Sequence, residues 1–193
     1  MEVSSKILCV PRSMDKIHSV SQAIIDDLTL ERLTIADADL QKIKNELQIL
    51  FYELFSNAVK HSSGDEVVFK YSISNKVLSV DVETIGNGYV IVPIDFGNIN
   101  SNIPKVHVTP PYPEYLKGKQ VVIYLDSEYH VFCTVENETT LTFGITQKHY
   151  EKEVIEMLNE HYGIFLINMI CNEVKFTFDN KKEIFSIKKG LTN

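Results

Sequence analysis

The sequence predicts an α+β fold, a two-layer sandwich in which helices pack on one face of a mixed sheet, with a β-rich insertion over residues 90–146. Three observations predict it. Apolar residues recur at three- and four-residue spacings over residues 14–30 and again from about 37 to 59, the mark of amphipathic helices. Two pairs of β-branched and aromatic runs, "EVVFKYSI" with "KVLSVDVETI" and "EVKFTF" with "EIFSIK", are separated by short turn sequences and read as hairpins. Between them lies a segment rich in proline and short strand-like runs, a composition that excludes a continuous helix.

Taken in order, "KILCV" is a short first strand closed by Pro11. The first helix follows, with Ile17, Val20, Ile24, Ile25 and Leu28 on one face. Asp37 or Asp39 can cap the second helix, because a short carboxylate accepts the free amides of the first turn. Ser74 and Asn75 mark the turn of the first hairpin, and Gly86 and Gly88 end its second strand. "NINSNIPKVHVTPPYPEY" reads as an extended loop, after which "QVVIYL", "HVFCTV" and "TTLTFGI" are strand-like. Residues 148–161 suggest a further amphipathic helix, which Gly163 breaks ahead of the short apolar helix "IFLINMIC". In the final hairpin Val174, Phe176 and Phe178 alternate with Glu173, Lys175 and Thr177, so the first set points inward.

Composition removes several classes of function. The 193 residues are 44% hydrophobic and 23% charged, as in a globular chain, and a net charge of -7 leaves no general basic footprint for nucleic acid. Cys9, Cys133 and Cys171 are odd in number and lack CxxC spacing, which argues against a disulfide framework or a zinc site and for buried free thiols. The six histidines show no HxxxH or HxH spacing. "GIFLINMIC" is too short to span a bilayer, and "MEVSSKILCVPRS" has no apolar signal core, so no membrane association is expected and the cytoplasm is the expected compartment.

The chemistry concentrates in "ELFSNAVKHSS", residues 53–63. Leu47, Leu50, Phe51, Leu54, Phe55, Ala58 and Val59 form one broad apolar arc at about 100° per residue. Glu53, Asn57 and His61, spaced i, i+4, i+8, form a polar stripe at its border. Asn is a poor helix former, because its amide competes for backbone hydrogen bonds, so its place beside packed residues asks for a reason. A carboxylate and a carboxamide stacked in this way can face one pocket, and oxygen donors suit Mg²⁺ held jointly with substrate phosphates. The plainer alternative is the wet edge of a surface helix. Downstream, "SVDVETIGNGY" runs a strand into Gly-x-Gly, where missing side chains permit a tight turn and close backbone approach.

The set formed by the asparagine-bearing helix, the Gly-x-Gly after a strand, and Gly163 ahead of an apolar helix and hairpin resembles the histidine-kinase-like ATPases of the Bergerat-fold superfamily. Within it the nearest likeness is to bacterial anti-sigma-factor serine kinases. The resemblance covers residues 5–89 and 161–189 and places residues 90–146 where that family has its ATP lid. It implies that Asn57 holds Mg²⁺ against the phosphates of ATP, that Glu53 acts as general base toward a serine hydroxyl or water, and that Gly86, Gly88 and Gly163 lie along the nucleotide. It further implies a cytoplasmic protein partner, a sigma factor or its antagonist, and many members of the family are homodimers. Two positions depart from the pattern: Thr84 stands where the family has the aspartate that reads the adenine amino group, and Gly163 is a single glycine where several are usual. Glu83 is next to Thr84, but strand alternation sends it to the opposite face. Two function classes are therefore expected: an ATP-binding regulatory kinase or switch, or a decayed relative that survives as a protein-binding module.

Overall fold

The computed structural model describes residues 5–28, 30, 37–92, 107–126, 128–147 and 162–191. In chain order the elements are β1 (Lys6–Pro11), α1 (Ile17–Asp27), α2 (Asp37–His61), β2 (Glu66–Ser74), β3 (Val77–Ile85), β4 (Gln120–Leu125), β5 (Tyr129–Asn137), β6 (Thr140–Gln147), α3 (Tyr162–Ile170), β7 (Glu173–Asp179) and β8 (Lys182–Gly190). The expected helix over residues 148–161 and part of the expected extended loop lie outside the described residues.

All eight strands join one sheet in the order β1-β2-β3-β8-β7-β6-β5-β4. Every neighbouring pair is antiparallel. This corrects the expected fold class: the chain is a single eight-stranded antiparallel sheet with helices against it, and not a two-layer sandwich with a mixed sheet. Strands β4 to β6, expected as an insertion, continue the same sheet through the β6–β7 ladder. The reason lies in the connections. Two-residue loops close β2–β3 and β7–β8, with Asn75, Lys76, Asn180 and Lys181 all at positive φ between 48° and 68°. Such loops match the right-handed twist of the flanking strands and commit each pair to antiparallel pairing. Periodicity in the sequence sets the face of each strand but not the edge it pairs with.

The strands alternate as a half-buried sheet requires. Val67, Phe69 and Tyr71 of β2 and Leu78, Val80 and Val82 of β3 are buried in the core. Phe69 meets Phe51 and Phe55 of α2 at ring-centroid distances of 6.4 Å and 6.0 Å. On the other face Glu83 pairs with Lys70 at 2.6 Å and with Lys182 at 2.9 Å, as its strand parity foretells.

Two contacts fix the long helix α2. Arg12, just past β1, donates from Nη1 to the carbonyls of Val59 (3.0 Å) and Ser62 (2.9 Å), satisfying groups that a helix end leaves unpaired. Buried Lys189 of β8 reaches Glu46 Oε2 at 2.6 Å, tying the sheet to the helix. Core contacts thus hold α2 over β2 and β3, the Lys189–Glu46 pair ties it to β8, and α3 packs beside it. Cys133 is buried and Cys171 half-buried, but Cys9 is exposed, so the expectation of three buried thiols is corrected at Cys9. Among the described residues no helix is long and apolar enough to cross a membrane.

Candidate functional site

A cavity of about 360 Å³ opens between α2, α3 and the sheet. Leu54, Asn57, Ala58 and His61 supply its helical wall, with Gly163 and Ile164 at the start of α3. The sheet supplies Val82 and Thr84 from β3, Phe176 from β7, and Glu183 and Phe185 from β8. Gly88, Tyr89, Val90, Val92 and His107 close the remaining side. The volume lies within the range of small-molecule sites, roughly 300 to 1,000 Å³, and the mixture of apolar walls with a few polar groups is typical of them.

The structure brings Asn57, Thr84, Gly88 and Gly163 to this one cavity. Asn57 answers the question its helix raised. Its Nδ2 is buried and makes no hydrogen bond within the protein. An unpaired buried amide costs about 1 to 3 kcal/mol, so this side chain is held in place at the expense of stability. Gly163 explains how it is held: a Cβ there would lie 2.6 Å from Glu53 Oε2 and 3.5 Å from both terminal atoms of Asn57. A side chain at this position would force the Glu53 carboxylate to move, and the glycine leaves it where it is.

Glu53 and Gly86 are placed differently. Glu53 sits one turn before Asn57 against Gly163 and outside the residues that line the cavity. Burial pushes its carboxyl up from the ordinary carboxylate range, and the positive charge of Lys60 partly offsets the effect. Gly86 is covered by protein: a Cβ would fall 2.1 Å from Glu183 Oε1 and 2.3 Å from Glu183 Cδ. Gly88 adopts φ +89°, a conformation that favours glycine, and a Cβ there would lie 2.1 Å from Pro110 Cγ. Each glycine of Gly-x-Gly is therefore required by neighbouring protein atoms, Glu183 in one case and Pro110 in the other.

Sequence reasoning missed Glu183. It is directly paired with Thr84 in the β3–β8 ladder. The Thr84 hydroxyl donates to Glu183 Oε2 at 3.0 Å, and the Gly88 amide donates to Oε1 at 2.8 Å. A carboxylate thus stands beside the position where the sequence has Thr84, delivered by the neighbouring strand. The signal was present in "KKEIFSIKK": Glu183 shares the parity of Phe185 and Ile187, which places it on the inward face. Among the described residues no cation pairs with it.

The fit to nucleotide and metal divides by region. Apolar walls that include Tyr89, Phe176 and Phe185 suit a planar ring, and Glu183 supplies a polar acceptor at its edge. Tyr89 and Phe176 are 5.9 Å apart between ring centroids. Among the described residues that line the cavity there is no Lys or Arg, and the imidazoles of His61 and His107 are its only basic side chains. Among the described residues no group of three or more His, Cys, Asp or Glu is arranged to hold a metal ion. A Mg²⁺ held mainly by phosphate and water needs fewer, one or two protein oxygens. The carboxamide oxygen of Asn57 is the helix oxygen available for that, whereas Glu53 lies outside the residues that line the cavity. No protein-family model matches the chain, and no curated protein matches it.

Proposed function

We propose that this chain is a nucleotide-binding regulatory protein whose cavity takes a purine nucleotide, the base against Glu183 and the phosphates, with Mg²⁺, toward Asn57. The observation that supports it is the convergence of Asn57, the Thr84–Glu183 pair and Gly163 on one cavity of nucleoside size. ATP is the nucleotide that the sequence resemblance implies. In that reading the bound nucleotide governs a grip on a cytoplasmic protein partner, a sigma factor or its antagonist, and Glu53 orients or deprotonates an acceptor hydroxyl during phosphoryl transfer, which proceeds mainly by positioning.

A thermal-shift titration with Mg·ATP and Mg·GTP, repeated on Asn57→Ala, tests it. A ligand that binds only the folded state stabilises by about 2.7 kcal/mol at a hundred times its dissociation constant. The expected result is a Mg²⁺-dependent shift that Asn57→Ala abolishes. No shift at millimolar nucleotide defeats the reading.

A second reading has its own support. The two glycines of Gly-x-Gly are packed by Glu183 and Pro110, and no described Lys or Arg lines the cavity. Both observations favour a protein-binding module that works without nucleotide. A partner captured equally well with and without Mg·nucleotide, and by Asn57→Ala, selects it.

A further inference from the structure

We infer that the base this cavity reads is of the guanine type, one whose ring edge offers two adjacent N–H donors, and not adenine; the inference rests on the nucleotide-binding reading above. It follows from counting donors and acceptors around one carboxylate. Glu183 is 9% exposed and each of its oxygens accepts one hydrogen bond from the protein, Oε1 from the Gly88 amide and Oε2 from the Thr84 hydroxyl. An ionised carboxylate has about four acceptor sites, so each oxygen retains capacity for a ligand.

Three donors beside Glu183 are already committed within the protein. The Thr84 hydroxyl and the Gly88 amide are spent on Glu183, and the nearby Tyr112 hydroxyl donates to the Tyr89 carbonyl at 2.8 Å. A ligand edge therefore meets two acceptors and no free donor among these groups. Adenine presents an exocyclic amine next to the lone pair of ring N1. One oxygen would gain a bond while the other faced that lone pair. Guanine presents N1–H and the 2-amino group side by side, the same paired-donor arrangement that makes an arginine fork complementary to a carboxylate. The charge on Glu183 strengthens both bonds, and no side-chain cation competes for it among the described residues.

The test is an equilibrium titration of the full chain with Mg·GTP, Mg·ITP and Mg·ATP, ITP being GTP without the 2-amino group. GTP is expected to bind about ten- to a hundredfold more tightly than either. Glu183→Gln changes the edge to one acceptor and one donor, because the Thr84 hydroxyl can turn to accept from the new amide. This variant is expected to lose the preference for GTP and to gain about tenfold for ATP. Equal binding of GTP and ITP by the wild type, or ATP binding as tight as GTP, overturns the inference and leaves nucleotide binding standing. No binding of any of the three overturns both. If Glu183→Gln does not fold, the GTP and ITP comparison on the wild type decides the matter alone.

Discussion

Thr84 and Glu183, 99 residues apart in the chain, are directly paired across β3 and β8 and joined by a 3.0 Å hydrogen bond in which the threonine hydroxyl donates to the carboxylate. A strand position that lacks a carboxylate of its own thereby acquires one from its neighbour. Both side chains are buried, so the bond is shielded from competing water.

Removing the hydroxyl should be costly. Thr84→Val keeps the shape of the side chain but leaves Glu183 Oε2 without this donor in a buried setting. A loss of about 1 to 3 kcal/mol is expected in chemical denaturation, whereas Thr84→Ser, which retains the donor, should lose less. Equal stability of the valine variant and the wild type would show that water replaces the bond.

Gly86 and Glu183 compete for the same space. The methyl of Gly86→Ala would need the volume now held by the carboxylate, 2.1 Å away, and must displace it. Destabilisation of about 1 to 3 kcal/mol is expected, with weakened nucleotide binding. Shortening the partner should relieve the clash, so the double variant Gly86→Ala, Glu183→Ala should show a coupling energy of at least about 0.5 kcal/mol in a double-mutant cycle. Simple additivity would argue that the glycine is required for some other reason.

Glu53 provides a pH signature. Burial raises its folded-state pKa above the unfolded value, so between those two values the native state binds more protons than the unfolded chain. Stability therefore falls as pH rises through that window, and the penalty is complete above the folded pKa. Glu53→Gln removes the ionisable group. At neutral pH it should be more stable than the wild type, and the gap should close on acidification toward the ordinary carboxylate range. Parallel denaturation curves across pH measure this. If Glu53 also serves in phosphoryl transfer, the same variant should bind nucleotide and fail to turn it over.

Asp27 should behave in the opposite sense. The Lys6 ammonium and the Tyr71 hydroxyl, which donates to Asp27 Oδ2 at 2.7 Å, hold its carboxyl below the ordinary range. Its contribution is present above the unfolded carboxylate pKa and disappears as pH falls through the lower folded value. Exposure of both charged partners limits the ion pair to less than about 1 kcal/mol. Asp27→Asn should flatten the acid limb of the stability profile, and an unchanged limb would remove this pair from the acid response.

Much of the local structure was legible in the residues. The stripe of Glu53, Asn57 and His61 beside an apolar arc was readable because helical periodicity is a property of neighbours in sequence, and the structure keeps Asn57 and His61 on the cavity wall. The hairpins were readable for the same reason, since a two-residue turn involves only adjacent residues, although the first turn falls at Asn75 and Lys76, one residue past the expected Ser74 and Asn75. Glu83 faces its two lysines on the open side of the sheet, as alternation alone requires. The order of the strands was another matter. Reading β4 to β6 as an insertion followed from proline-rich sequence ahead of them, but β6 pairs with β7 and the sheet continues.

By itself the sequence determined which face turns inward in α1, α2 and the strands of the two tight hairpins, including the inward parity of Glu183, because side-chain direction repeats with backbone geometry. Only the tertiary structure decided that β8 lies beside β3, that Glu183 arrives at Thr84, and that Gly163 brings α3 against Glu53 and Asn57. Strand edges carry the same backbone donors and acceptors whatever the side chains, so the choice among them is made by how all the apolar faces are buried together.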